Sequence, residues 1–94
     1  MDPTSKEHEI IISDKATEML ISHVRFLADV SPQAANELRE KVIQAANSLQ
    51  YFPERNPFIS DALLTDNKYR KMIIDKRYIL IYQIAYKSVY VEYV

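Results

Sequence analysis

The sequence predicts an α+β domain with the element order strand, helix, helix, strand, strand, strand. A short β-branched run, Ile10 to Ile12, comes first, and two stretches with apolar residues at helical spacing follow it. From Tyr69 onward the apolar residues recur with a period of two, which is typical of strands. A chain of 94 residues forms a single domain, here residues 1–94. We therefore expect a helical hairpin packed on one face of a mostly antiparallel sheet.

The first helix is predicted over residues 15–29, after a strand within residues 8–13. Ser13 or Asp14 offers the side chain that caps its first turn. Three apolar residues widen its stripe, and we therefore expect burial on more than one side: Ile21, Val24 and Phe26. The stripe itself consists of Ala16, Met19, Leu20, His23, Leu27 and Val30.

The second helix is predicted to begin at Ser31-Pro32 and to run to about Tyr51. Ser31 can cap it, and a proline in the first turn loses no needed hydrogen bond. It ends before Pro53, because the residue preceding a proline avoids helical geometry. Its apolar stripe consists of Ala35, Leu38, Val42, Ala45, Ala46, Leu49 and Phe52. The short turn between the helices makes them antiparallel neighbours.

A loop over residues 53–68 precedes three predicted strands at 69–75, 78–86 and 88–94. Turns at Lys76-Arg77 and near Lys87-Ser88 predict two antiparallel hairpins. The partner of the first strand is not evident from the sequence. Tyr78, Tyr82 and Tyr86 share one face of the middle strand, and we interpret them as core lining. The alternative is a surface on which nucleic-acid bases stack.

The composition excludes several kinds of protein. Twelve basic and thirteen acidic residues leave a formal charge of −1, which argues against a uniformly basic nucleic-acid binder. The absence of Cys excludes disulfides and thiolate metal sites, and the absence of Gly excludes a Gly-rich phosphate loop. No apolar run approaches the ~20 residues of a membrane span. The polar, acidic start is unlike a signal peptide, and we expect a cytoplasmic protein without metal or cofactor.

Basic residues concentrate in residues 68–77, which hold five bases and one acid. Arg70, Lys71, Lys76 and Arg77 are the candidates for contact with a target or a phosphate group, since Arg and Lys neutralise phosphates and acidic surfaces. Tyr90 joins them, because its alternation with Val89 and Val91 predicts an exposed ring. The alternative is an ordinary solvated surface. In either case we expect Arg70 and Arg77 to be dispensable for folding.

The two histidines are the only imidazoles of the chain. His23 lies on the apolar stripe of the first helix and is interpreted as a packing residue. His8 lies between two glutamates, where a metal site is conceivable, but a solvated strand edge is the preferred interpretation.

Five short motifs occur in a fixed order between Ile11 and Val91. They are Ile12-Ser13-x-x-Ala16, Ser31-Pro32-x-x-Ala35, Leu49-x-x-Phe52-Pro53-Glu54, Tyr69-Arg70 and Arg77-Tyr78-x-Leu80-x-Tyr82. With them the chain resembles the RelE/ParE superfamily of toxins from type II toxin–antitoxin systems, also known as plasmid stabilisation proteins. The resemblance implies a cognate antitoxin as partner. It also implies one of two targets: ribosome-bound mRNA, which one branch cleaves without metal, or DNA gyrase, which the other branch inhibits.

The antitoxins of this superfamily wrap around the toxin and bury apolar side chains. The loop offers four apolar residues without a periodic place in the core: Phe58, Ile59, Leu63 and Leu64. They are candidates for antitoxin binding, and the alternative is that they pin the loop to the core.

The sequence departs from the ribonuclease branch at three points. That branch usually has an Arg directly after the tyrosine of the third strand, where this chain has Ile79. A Lys that often follows two positions after Arg70 is replaced by Met72. The branch also places an Arg, His or Tyr beyond the last strand, whereas this sequence stops at Val94. We expect a ParE-like toxin that acts by binding. The alternatives are a RelE-like mRNA endonuclease and a non-toxic relic that serves as a partner-binding module.

Overall fold

The computed structural model describes residues 7–60, 63 and 67–94. Its elements are β1 (Glu9–Ile12), α1 (Asp14–Val30), α2 (Pro32–Ser48), a 3-10 turn (Pro53–Arg55), β2 (Arg70–Asp75), β3 (Tyr78–Ala85) and β4 (Ser88–Tyr93). The predicted order of elements and the α+β class are confirmed. Leu64 lies outside the described residues. Among those described, no helix combines the length and the apolar character needed to cross a bilayer.

The four strands form one sheet in the order β1-β4-β3-β2. The β2–β3 and β3–β4 pairs are antiparallel, as predicted from the two turns in the sequence. The first strand pairs with β4 in parallel, with Ile10 beside Val89. Thus β1 and β2 are the two edges of the sheet.

Both helices begin at the predicted caps. The Ser13 Oγ accepts a hydrogen bond from the Ala16 amide at 3.0 Å, and the Ser31 Oγ accepts one from the Ala34 amide at 3.2 Å. Ser13 also donates from its hydroxyl to the Glu92 carbonyl at 3.2 Å. Ser13 therefore ties the start of α1 to the end of β4.

The core lies between α2 and the helix-facing side of the sheet. Its buried residues are Ala16, Leu38, Val42, Ala46, Leu49, Leu80, Tyr82, Val89 and Val91. The prediction that α1 is buried on more than one side is wrong, because Phe26 is 71% exposed and Ile21 is 45% exposed. The helix packs on α2 and β4 with one face, and no described element covers its other sides.

Two aromatic residues predicted to be core lining are exposed instead. Phe52 and Tyr86 have left-handed backbones, with φ of 53° and 57°, and their side chains are 74% and 99% exposed. Each lies where the chain reverses, after α2 and between β3 and β4. Glycine normally occupies such positions, and a chain without glycine must place other residues there.

Candidate functional site

The structure divides the predicted basic cluster among three places. Arg70 pairs with Tyr82 and lies on the helix-facing side of β2. Lys71 and Tyr90 lie on the opposite side of the sheet, since they alternate with Arg70 and with the buried Val89 and Val91. The remaining two, Lys76 and Arg77, form the exposed turn between β2 and β3.

Arg70 binds the protein's own loop. Its Nη1 donates to the carbonyl oxygens of Asn56 and Glu54 at 2.7 Å and 3.0 Å. Its guanidinium carbon lies 3.8 Å from the centre of the Phe58 ring, a cation–π contact. The expectation that Arg70 is a dispensable surface cation does not fit this geometry. These contacts fix the segment after α2 against the start of β2.

Tyr82 on β3 also binds the segment after α2. Its buried hydroxyl donates to the Pro53 carbonyl at 2.6 Å and accepts a hydrogen bond from the side-chain Nδ2 of Asn56 at 3.1 Å. Burial is the main cause that raises the pKa of the Tyr82 phenol above its ordinary value. The phenol therefore serves as a neutral structural donor.

Arg55 closes the end of α2. Its guanidinium donates to the Tyr51 carbonyl at 2.8 Å, to the Ser48 carbonyl at 3.2 Å and to the Ser48 hydroxyl at 2.6 Å. Cations at a helix C-terminus satisfy carbonyl groups that lack intrahelical partners. This role is not evident from the sequence, because the arginine lies seven residues beyond the last helical residue.

The side of the sheet away from the helices is an open face that is aliphatic along β2 and β3 and polar along β4, where Glu92 accepts a hydrogen bond from Gln83 at 2.7 Å. Ile79 pairs with Ile73, and Ile81 pairs with Lys71. Ile73 is 69% exposed and Ile79 is 41% exposed, so the described part of the chain leaves both available to a partner. Lys71 is the one cation that the four described strands place on this face. The exposure of Ile73 and Ile81 to a partner is not evident from the sequence, because their neighbours depend on the strand register.

A groove of about 320 Å³ lies beside the β2–β3 turn. Leu27, Leu38 and Tyr78 line it together with charged residues of the turn and of α2. At its rim the Lys41 ammonium lies 3.4 Å from the Asp75 carboxylate. The pKa of Asp75 is lowered, first by the hydrogen bond from the Lys76 amide and then by Lys41. The Asp75 carboxylate is thus already bound by groups of the protein itself.

The candidates for antitoxin binding have different surroundings. The backbone at Phe58 pairs with Arg70, and the Ile59 amide donates to the Tyr69 carbonyl at 2.7 Å. Phe58 is 40% exposed beneath the Arg70 guanidinium, and Leu63 is 93% exposed. Phe58 and Ile59 thus help to pin the loop to the edge of β2, while part of the Phe58 ring stays accessible.

The two histidines have different surroundings. His23 Nε2 lies 3.2 Å from the Val94 carbonyl oxygen, and its ring meets the Tyr78 ring edge-on at 5.2 Å, as expected for a packing residue. His8 is half-buried rather than solvated, and its Nδ1 is enclosed without a hydrogen-bond partner. No group of three or more His, Cys, Asp or Glu residues within the described ranges is arranged to hold a metal ion.

Two comparisons with known proteins agree with the resemblance found in the sequence. A family model described as the ParE toxin of type II toxin-antitoxin system, parDE, matches residues 10–94. Among solved structures, the chain is similar to one titled "Chromosomal ParDE TA system from P. aeruginosa", with a TM-score of 0.70 and 11% sequence identity over 94% of each chain. At this identity the structural likeness concerns the fold alone. Among curated proteins no significant match is found. Because the family model covers nearly the whole chain, the protein belongs to the ParE toxin family of type II toxin–antitoxin systems.

Proposed function

We propose that this toxin arrests growth by binding DNA gyrase, without cleaving mRNA. The observation that carries the proposal is the aliphatic character of the open sheet face along β2 and β3. Metal-free RNA cleavage needs a base, an acid and a cation for the developing phosphorane charge. Ile73, Ile79 and Ile81 occupy the β2–β3 half of that face and supply none of these groups. The Glu92 carboxylate on β4 accepts a hydrogen bond from Gln83 at 2.7 Å.

The absence of a catalytic cation at Ile79 lowers the expected cleavage rate enough to argue against efficient mRNA cleavage. Loss of one preorganised group that stabilises the transition state lowers a rate by about 10²–10³-fold. Arg70 does not replace it, because its guanidinium lies on the other side of the sheet and donates to the loop carbonyls of Glu54 and Asn56. Binding, by contrast, needs complementary shape and charge but no proton transfer.

A RelE-like endonuclease remains the second candidate, and one observation favours it. Lys71 and Tyr90 share the open face and lie two strands apart, about 10 Å between backbones. A cation and a phenol at that separation could flank one nucleotide. A third candidate, a non-toxic partner-binding relic, predicts no growth arrest at all.

The cognate antitoxin is the expected neutralising partner, as in other toxin–antitoxin systems of this family. We propose that it covers the loop at Phe58, Ile59 and Leu63, with Leu64 as a further candidate from the sequence. The partly exposed Phe58 ring supports this proposal. Gyrase and ribosomes are both cytoplasmic, and we propose that location for the toxin. Unchanged hydrogen exchange at residues 58–60 and 63 upon antitoxin binding would contradict the proposed antitoxin surface.

A gyrase supercoiling assay with the purified chain tests the proposal. We expect inhibition that increases with toxin concentration and disappears when the cognate antitoxin is added. A translation reaction with mapped mRNA ends serves as the parallel measurement. Inhibited supercoiling with intact mRNA supports the gyrase proposal. Codon-positioned mRNA cleavage with normal supercoiling supports the endonuclease, and no effect in either assay together with normal growth supports the relic.

A further inference from the structure

We propose that the β2–β3 hairpin carries the target-docking surface and that it recognises an acidic patch on a protein. The hairpin surface, as we call it, consists of Ile73, Ile79 and Ile81 with Lys71, Lys76 and Arg77. This inference rests on the proposed function, since it names the chemistry of the partner that the toxin binds.

The centre of the hairpin surface is apolar and contiguous. Ile73 and Ile79 are directly paired across the two strands, and Ile81 is two residues further along β3 on the same face. Ile73 is 69% exposed, although it is a β-branched residue inside a strand. An exposed run of neighbouring isoleucines is typical of a surface that another molecule covers.

The rim of the hairpin surface is positively charged. The side chains of Lys71 and Arg77 make no hydrogen bond or ion pair with any residue in the described part of the chain, whereas the Lys76 charge contributes to lowering the pKa of Asp75. The nearby carboxylate, Asp75, is already held by Lys41 and by the amide of residue 76. Two cations beside the apolar centre, Lys71 and Arg77, therefore have no compensating charge in the described part of the chain.

The size of the face indicates the core of an interface. The two strands of the hairpin, spaced about 4.8 Å apart and about 6 residues long, give a face of roughly 10 by 20 Å, or about 200 Å² in projection. A standard protein–protein interface buries about 800 Å² on each partner. An apolar core within a charged rim is the usual anatomy of such interfaces. The turn with Lys76 and Arg77 adjoins this surface at the end of the hairpin, and both residues also line the groove beside the helices.

The aliphatic centre favours a protein over a nucleic acid. Nucleic-acid surfaces without sequence preference combine cations with aromatic rings on which bases stack. Here the residues between the cations are isoleucines. Their burial against sugar and phosphate groups would contribute little binding free energy. An acidic protein surface with apolar side chains at its centre matches both parts of the hairpin surface.

Two charge-reversal variants with the same total change in charge form the test. The first, Lys71→Glu with Arg77→Glu, alters the hairpin surface. The control, Arg25→Glu with Lys87→Glu, alters exposed cations on α1 and at the β3–β4 turn. The apolar centre is tested separately by Ile73→Glu against Ile21→Glu, since both isoleucines are substantially exposed. Melting temperatures verify that each variant is folded.

Growth arrest on expression and binding to immobilised DNA gyrase are the readouts. We expect both hairpin variants to lose growth arrest and to bind gyrase at least ~10-fold more weakly, while both controls resemble the wild type. Wild-type affinity should fall by about 10-fold between 50 and 300 mM NaCl, because exposed charges are screened by salt.

The outcomes separate this inference from the proposed function. Hairpin variants that bind gyrase and arrest growth like the wild type overturn the inference and leave the gyrase proposal intact. If the wild type arrests growth but does not bind gyrase, the gyrase proposal fails. In that case, loss of growth arrest in the hairpin variants but not in the controls still supports an acidic protein target. A wild type without either activity overturns both.

Two further results would overturn the assignment to a target protein. The first is retention of the wild type, but not the reversal variant, on duplex DNA or on phosphatidylglycerol vesicles without protein. The second is a set of hairpin variants that remain toxic but escape neutralisation, which would assign the surface to the antitoxin.

Discussion

Replacing Arg70 with alanine should destabilise the toxin, because this side chain holds the loop rather than a ligand. The charged hydrogen bond to the half-buried Asn56 carbonyl contributes about 1.5–2 kcal/mol. The bond to the exposed Glu54 carbonyl and the cation–π contact with Phe58 contribute about 0.5 kcal/mol each. We expect a loss of about 2.5–3 kcal/mol, which for a domain of this size lowers the melting temperature by roughly 10–20 °C.

Thermal unfolding followed by circular dichroism measures this effect, and Arg77→Ala is the matched control. Arg77 lies in the exposed turn and makes no polar contact with the described residues. Its removal should therefore change stability by less than about 0.5 kcal/mol. A double-mutant cycle with Phe58→Ala isolates the cation–π part. If Arg70→Ala melts within 3 °C of the wild type, the loop is not held by this guanidinium and our interpretation of Arg70 is wrong.

Three further substitutions test the fold and its strained positions. Tyr82→Phe removes the hydroxyl between Pro53 and Asn56 and should cost about 2 kcal/mol in chemical denaturation at pH 7. Burial raises the pKa of Tyr82 in the folded protein, so the phenol loses its proton at lower pH in the unfolded chain than in the folded one. The stabilisation by the protonated phenol is therefore complete below about pH 10 and declines above it. The stability difference between wild type and Tyr82→Phe should shrink accordingly at alkaline pH. Tyr86→Asn relieves a left-handed backbone at a fully exposed side chain and should raise the melting temperature by about 3–6 °C, whereas a decrease would show that the ring stabilises the turn. Val42→Asp places an unpaired charge in the core and should abolish the folded circular dichroism spectrum, and a native-like spectrum would contradict the orientation of α2.

The fold was predictable from the sequence because its signals are local and consistent. Ser13, Ser31 and Pro32 mark the helix starts, and the change to a period of two at Tyr69 marks the sheet. The partner of β1 was not predictable, because parallel pairing with β4 depends on how the helical hairpin returns the chain to the sheet.

The errors in burial share one physical origin. Apolar periodicity shows which residues could be buried, but the number of neighbouring elements decides which ones are. Phe26 fits the stripe of α1, yet no described element reaches it. Phe52 and Tyr86 fit their stripes as well, but they occupy backbone reversals that a chain with glycine would give to glycine.

The candidate site was predictable in composition but not in arrangement. The basic segment 68–77 was evident, whereas its division between two faces and a turn follows from strand register and from the loop contacts of Arg70. Adjacent residues in a strand point to opposite sides, so Arg70 and Lys71 cannot serve the same surface. Ile79 lies on the side of β3 opposite Tyr78 and Leu80, as the period of two predicts.

Mapping of mRNA 5′ ends in cells that express the toxin tests most directly whether it acts by binding alone. We predict growth arrest without new, codon-positioned mRNA ends, since Ile79 and its neighbours Ile73 and Ile81 supply no acid, base or cation. New ends at ribosomal A-site positions that appear with the wild type and disappear with Lys71→Ala or Tyr90→Phe would contradict this prediction, and would identify those two residues as a cleavage site.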